Sequence, residues 1–327
     1  MNRIEEIQKI VEERIEKEIL SLEERSPNHL YAPIAYALRN GGKRFRPRLF
    51  LMAMEMFSSI TPEGIDAALG MEVFHNFTLL HDDIMDDADL RRGKDTVHKK
   101  YDENTAILSG DAMMICAYQY FHKLSPEVQA KVVPVFTQTA LEVCEGQQYD
   151  MDFEQQDDVE VAAYLEMIRL KTAVLLAASL KIGALVAGAS DKDADLIYDF
   201  GIQVGVSFQI QDDILDVYGN PKTFGKEIGG DIVANKKTYL LLQTLKDVST
   251  EDKQSLLEWI SKETFNREEK VNAVRAIYDH VDIRTKAEKL QQDYFDRALA
   301  SLDQISVSSD KKEPLRNVAL SLFKRDV

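Results

Sequence analysis

Apolar side chains recur three and four residues apart along nearly all of the chain, as at Ala67, Met71, Phe74 and Phe77, with Thr78 on the same stripe. Nowhere do they alternate with polar ones over the length of a strand. A period of 3.6 maintained this widely is met by helices and by no sheet, so the predicted fold class is all-α. Breaks between helices fall where turn residues and polarity coincide: Ser26-Pro27, Asn40-Gly41-Gly42, Thr61-Pro62, Ser125-Pro126, residues 188–191, and residues 218–230 around Gly219 and Pro221. These breaks predict about ten or more helices. There is no low-complexity stretch, solenoid repeat or long linker, so residues 1–327 are expected to form one helical domain.

With 327 residues, 45% of them apolar, the chain can bury a sizeable core without staples. Cys116 and Cys144 lie in apolar helical runs without metal-ligand or redox spacing, which speaks against a disulfide framework or a zinc site and fits a reducing cytoplasm. The formal charge of -16 argues against a nucleic-acid partner. An anionic ligand must then be held by local cations or by metal. Residues 1–20 mix charge with Ile, Val and Leu at helical spacing and lack the core of a signal peptide. The longest apolar run, residues 173–188, is interrupted by Lys181 and is short for a bilayer, so no transmembrane segment is expected.

The residues with most chemical content are aspartates. Asp82, Asp83, Asp86 and Asp87 follow the apolar run 71–80 without an intervening turn signal, and Asp212, Asp213 and Asp216 follow residues 201–211 in the same way. On a helix, carboxylates four apart share a face and repel unless something positive lies between them. Magnesium fits that arrangement, because it takes oxygen ligands and fills most of its positions with water and substrate phosphates. One such cluster is readily a solvated helix end. Two, each extending a run too apolar for a free surface helix, point to a cavity.

Basic residues accompany the acidic ones: Lys43, Arg44, Arg46 and Arg48 after the double glycine, Arg91 and Arg92 after the first tract, and Lys226, Lys236 and Lys237 after the second. Beside aspartates, such groups suit a diphosphate bridged by metal, with arginine giving two-pronged contacts and lysine a point charge. Lys237, Arg44 and Arg48 read equally well as ordinary surface charge. His75, about two turns before Asp82, is either a satisfied core residue or a ligand contact. Phe74, Phe77 and Phe208 are core aromatics by default, and walls of an apolar pocket if the ligand has an anionic head and a greasy tail.

Taken together, the chain resembles the trans-prenyl diphosphate synthases over nearly its whole length. The resemblance is carried by GGKRFRP at 41–47, HDDIMDDADLRRG at 81–93 and FQIQDDILD at 208–216. It is supported by LSGD at 108–111, GQQYD at 146–150, Lys171-Thr172, Lys226 and Lys236. It implies a bundle of long helices around a central cavity, usually a homodimer, in which Asp82, Asp86 and Asp212 bind three magnesium ions, with Asp83, Asp213 and Asp216 in support. It further implies that Arg91, Lys171, Lys226 and Lys236 contact the allylic diphosphate, and that Lys43, Arg46, His75 and Arg92 bind isopentenyl diphosphate. Thr172, Gln209 and Gln147 would then steady the developing carbocation.

In the resembling family, an aromatic residue five before the first aspartate closes the pocket at the C15 to C20 stage, and a second at the fourth position shortens the product to C15. Here these positions are Phe77 and Thr78, and the first tract lacks the two-residue insertion of many bacterial C15 synthases. The expected product is geranylgeranyl diphosphate, with farnesyl diphosphate as the alternative and Phe74 or Met71 as the alternative floor. A class I terpene cyclase is the nearest competing enzyme, but DDILD stands where its second metal motif would carry Asn, Ser or Thr, and Glu at wider spacing. A phosphohydrolase built on His81-Asp82 lacks further histidine ligands. A non-catalytic partner subunit would typically have lost one tract or the arginine pair.

Overall fold

A computed structural model describes residues 3–220 and 228–324. Apart from one two-stranded hairpin, the regular structure of the described residues is helical, as the periodicity requires. In chain order the elements are α1 (Arg3–Glu23), α2 (Asn28–Arg39), α3 (Phe45–Phe57), α4 (Pro62–Met85), β1 (Leu90–Arg91), β2 (Lys94–Asp95), α5 (Val97–Lys100), α6 (Glu103–Phe121) and α7 (Pro126–Gln155). There follow α8 (Val161–Ile168), a π-helical turn (Arg169–Ala173), α9 (Val174–Val186), α10 (Asp191–Tyr218), α11 (Gly230–Val233), α12 (Tyr239–Asp247), α13 (Thr250–Ser261), α14 (Arg267–His280), α15 (Ile283–Gln304) and α16 (Ser309–Phe323). Among the described residues, the expected breaks at Ser26-Pro27, Asn40-Gly41-Gly42, Thr61-Pro62, Ser125-Pro126 and 188–191 fall at helix boundaries, and residues 221–227 of the remaining one lie outside the described residues.

The chain contacts group into two compact units. The first comprises Met1–Gln138, Ala178–Tyr198 and Ile305–Leu315; the second comprises Thr139–Ala177, Asp199–Gln304 and Arg316–Val327.

The first unit is organised on α4. Thr61 caps it, its hydroxyl accepting from the Gly64 amide at 3.2 Å, and Pro62 occupies the first helical position, where no amide is needed. Beyond that turn α4 is apolar on almost every side, burying Ala67, Ala68, Leu69, Met71, Val73, Phe74, Phe77 and Leu80. Such a helix must be surrounded, and α1, α2, α3 and α6 pack against it. Small residues bring α6 close. A Cβ added to Gly70 would lie 3.1 Å from the Ala117 carbonyl, and one added to Gly110 would strike His81 at 2.2 Å.

In the second unit α12 packs against α8, α14 and α15. Two glycines converge on the π-helical turn. Gly205 of α10 faces Ala173, and a Cβ on Gly146 would lie 2.2 Å from the Lys171 backbone nitrogen. Among the described residues, no helix is long and apolar enough to cross a membrane.

Close helix packing has a measurable cost when a methyl group is inserted. In the first unit, a Cβ on Gly183 would lie 2.2 Å from the Phe50 carbonyl oxygen, a backbone atom that cannot swing away. Gly183→Ala is expected to destabilise the fold by about 2 kcal/mol, lowering Tm by several degrees. A thermal melt of Gly183→Ala indistinguishable from wild type would show that α9 and α3 are not packed this tightly.

Candidate active site

The end of α4 carries the first aspartate tract. The helix stops at Met85, Asp86 caps it, and Asp87 takes a left-handed conformation (φ 47°) that turns the chain away. This leaves Asp82 half-buried, Asp83 buried and Asp86 exposed. The chain then folds into the hairpin. Leu90 pairs with Asp95 and Arg91 with Lys94, joined by the two-residue turn Arg92-Gly93 with φ of 56° and 75°. Two positive φ values match the turn to the natural strand twist. The hairpin returns Arg91 to the tract: its Nε donates to both oxygens of Asp83 at 2.7 and 2.9 Å, and its Nη2 to Asp82 at 3.4 Å. Burial nevertheless pushes the Asp83 carboxyl above its ordinary pKa, against the pull of Arg91.

The adjacent residue points to the double-glycine loop. Arg92 donates to the Gly41 carbonyl, and its guanidinium lies so close to Gly42 that an added Cβ would be 2.7 Å away. Here Arg46 Nη1 donates to His75 Nε2 at 3.0 Å. A guanidinium has no acceptor, so this bond requires the imidazole nitrogen to be unprotonated. The electrostatics agree: desolvation, reinforced by Arg46, Arg92, Arg91 and Arg44, holds His75 well below its ordinary pKa. Arg46 Nε is closed off from solvent and meets no acceptor in the protein, and desolvation lowers the Arg46 pKa to about 10. A cation with a buried, unanswered N–H is a place for an anion. Lys43 is exposed at the edge of this loop.

Before the tract, Phe77 is buried and packs between Phe74 (5.4 Å between ring centroids) and His81 (4.8 Å). Phe74 rests in turn on Phe136 at 5.1 Å. Thr78 is half-buried and donates its hydroxyl to the His75 carbonyl at 2.8 Å. The three residues expected to set the pocket floor therefore lie in the first unit with the first tract.

The second tract lies in the second unit, near the end of α10. Asp212 is half-buried; Asp213 and Asp216 are buried. Asp213 accepts from the Tyr164 hydroxyl at 2.5 Å and from the Tyr239 amide at 3.4 Å. Burial raises its pKa well above the carboxylate range despite these bonds. Asp216 accepts from the Asp231 amide at 3.0 Å and is pushed up to about 6, again by burial first and by the Asp231 charge second. Lys236 is exposed, 3.8 Å from Asp231. The π-helical turn carries Lys171 and Thr172, and Lys171 Nζ donates to Asp150 at 2.5 Å. Gln147 and Gln209 are half-buried on α7 and α10. Lys226 lies outside the described residues.

Among the described residues, no three His, Cys, Asp or Glu side chains are grouped closely enough to hold an ion by themselves. The donor set suits a hard cation whose remaining ligands are phosphate oxygens and water. Sequence reasoning missed Glu72, Tyr164 and Asp231, and left Arg44 open as surface charge. Arg44 is in fact buried, its guanidinium 2.7 Å from buried Glu72. Glu72 sits ten residues before Asp82 on an apolar helix, and an acidic residue so placed was the available signal.

A sequence profile described as polyprenyl synthetase matches residues 27–278. The chain belongs to this family. It is a prenyltransferase, and its relatives generally use Mg2+. A geranylgeranyl diphosphate synthase from Sulfolobus acidocaldarius is 38% identical over 286 residues, 86% of each protein. A geranylfarnesyl diphosphate synthase from Natronomonas pharaonis is 39% identical over 257 residues, covering 73% of this chain and 74% of the relative. A crystal structure of a geranylgeranyl pyrophosphate synthase superposes with a TM-score of 0.93 at 43% identity, covering 100% of both chains. The all-α reading and the family reading of the sequence both hold.

A histidine kept neutral by the fold binds fewer protons than it does unfolded, so it weakens the folded state as pH falls below the ordinary imidazole value of 6.5. In diphosphate-free enzyme, the Tm of wild type relative to His75→Gln is expected to fall as pH is lowered from about 7 to about 5. A gap that stays constant across that range would mean that His75 is not held neutral.

Proposed function

We propose that this prenyltransferase condenses an allylic diphosphate with isopentenyl diphosphate and releases geranylgeranyl diphosphate. The observation that carries the reading is the pair of arginines on the hairpin. Arg91 meets the aspartates ending α4, and Arg92, one residue on, meets the loop where Arg46 has an unanswered N–H. In this reading Arg91, Lys171, Lys236 and Lys226 contact the allylic diphosphate, while Lys43, Arg46, His75 and Arg92 bind the diphosphate of isopentenyl diphosphate.

Asp82, Asp86 and Asp212 are the proposed carboxylate ligands of three magnesium ions, with Asp83, Asp213 and Asp216 behind them. Bound magnesium neutralises the charge that grows on the departing diphosphate. Arg91 is already fixed by Asp83 and so needs little reorganisation to add its own charge. Thr172, Gln209 and Gln147 present oxygen atoms toward the allylic cation, and excluding water protects it until the second double bond attacks. We assign the final proton to the released diphosphate, since no protein base is required.

Phe77, an aromatic residue five before Asp82, with non-aromatic Thr78 beside it, supports the C20 assignment. Curated relatives from several archaea are geranylgeranyl diphosphate synthases. We further propose that residues 1–327 act as a single catalytic domain in the cytoplasm and that the enzyme is a homodimer. The exposed face of α6 supports the dimer: Ile107 and Leu108, and two turns on Met114 and Ile115, leave two apolar pairs on it either side of exposed Asp111, a face fit for a second copy.

Incubation with magnesium, labelled isopentenyl diphosphate and C5, C10 or C15 primers, with products sized by mass spectrometry, tests the reaction. A C20 product that grows no further is expected. A C15 product would favour farnesyl diphosphate synthase, and a C25 product would align the chain with the Natronomonas relative. No incorporation from any primer would overturn the reading.

Two variants sharpen the test. Asp82→Ala is expected to reduce turnover by at least about 1,000-fold with the helical circular dichroism unchanged, and near-normal turnover would remove Asp82 from the metal site. Phe77→Ala is expected to lengthen the product, while unchanged length would move the floor to Phe74 or Met71.

A further inference from the structure

The double-glycine loop is held in an unfavourable backbone conformation. Three of its four residues have positive φ: Gly41 at 77°, Gly42 at 125° and Arg44 at 47°. Glycine adopts this region freely, whereas a long side chain such as arginine does so only when its surroundings compel it. The compelling contact is visible. Arg44, at the N-terminal boundary of α3, turns its guanidinium inward to donate to Glu72 Oε1 at 2.7 Å and to the Leu38 carbonyl. Glu72 is 3% exposed, and the same Oε1 accepts from Asn76 Nδ2 at 3.0 Å. Its second oxygen, Oε2, is buried and accepts nothing.

This pair lies directly behind the cationic surface. Arg46 is two residues after Arg44, His75 is three after Glu72 on the next turn of α4, and Arg92 is bonded to Gly41. The negative charge of Glu72 extends to Arg46 and Arg92 as well as to Arg44. One carboxylate thus underlies three guanidiniums, leaving an excess of positive charge that a diphosphate can neutralise. If Arg44 were neutral, Glu72 would be an unmatched buried carboxylate, free to draw Arg46 away from an incoming anion.

We infer that the Arg44–Glu72 pair positions the isopentenyl diphosphate subsite. It fixes the left-handed turn that presents Lys43 and Arg46, and it keeps the Glu72 charge from competing for Arg46. Neither residue contacts substrate. The inference rests on the reading that Lys43, Arg46, His75 and Arg92 form this subsite.

The test measures KM for isopentenyl diphosphate and for the allylic primer separately, in the full-length enzyme. Arg44→Met is expected to raise KM for isopentenyl diphosphate by roughly tenfold or more while KM for the primer stays within about twofold. Arg44→Met/Glu72→Met removes the competing carboxylate together with its partner, and is expected to recover part of the loss. Glu72→Gln keeps the shape and a hydrogen bond to Arg44, and serves if Arg44→Met does not fold. It is expected to change KM for isopentenyl diphosphate and not for the primer.

Equal increases for both substrates, or no change for either, would overturn the inference, as would a double variant worse than Arg44→Met. Arg46→Gln distinguishes the two levels of the reading. If it leaves KM for isopentenyl diphosphate unchanged, the subsite itself is misplaced. If it raises that KM while Arg44→Met does not, the subsite stands and the positioning role falls.

Discussion

Carboxylates and guanidiniums leave bulk water together at the end of α4, and the surrounding structure depends on their being matched when they do. Glu72 and Asp83 are both buried on this helix, the first ten residues before Asp82 and the second next to it. Each is met by an arginine, Arg91 for Asp83 and Arg44 for Glu72. Removing either cation would leave a charge in a medium that solvates it poorly. The hairpin, the double-glycine loop and the start of α3 are thereby anchored to one helix by ion pairs.

The second unit handles its buried acids differently. Among the described residues, Asp213 and Asp216 meet a hydroxyl and backbone amides, not arginines, and their pKa values rise. Carboxyls in that condition hold their protons more tightly than free ones, and a cation placed against them would draw them back toward ionisation. The π-helical turn adds a geometric element. A wider turn shifts the register of side chains by one position, and here it carries Lys171 and Thr172 while Gly146 and Gly205 make room for its backbone.

Much of this was legible in the sequence because helical period, aspartate spacing and turn residues are local properties. The helix ends at Thr61-Pro62 and Asn40-Gly41-Gly42 could be read from a few residues each, and Asp82 and Asp212 from their position at the ends of apolar runs. What could not be read was pairing across the chain. Arg44 and Arg46 look alike in sequence, two cations in one basic stretch; only the fold shows that one turns inward to Glu72, 28 residues away, and the other to His75. Tyr164 and Asp213 are 49 residues apart and carry no mutual signal in a single sequence. The hairpin was likewise invisible, because two residues per strand are too few to show alternation.

That hairpin has a consequence for how this part of the chain can vary. Arg91 and Arg92 are consecutive, yet one closes the strand pair and the other begins the turn, so they reach toward different parts of the first unit. Their divergence comes from a turn of two residues, both left-handed, with Gly93 as the second. One residue more or fewer between Arg91 and Lys94 would change the register and swing an arginine to the opposite face. Loops on a protein surface usually accept insertions. This one is tied at its length by two attachments at once, Arg91 to the aspartates ending α4 and Arg92 to the Gly41 carbonyl, so a change of length would break one of them while an exchange of side chains at Gly93 or Lys94 need not.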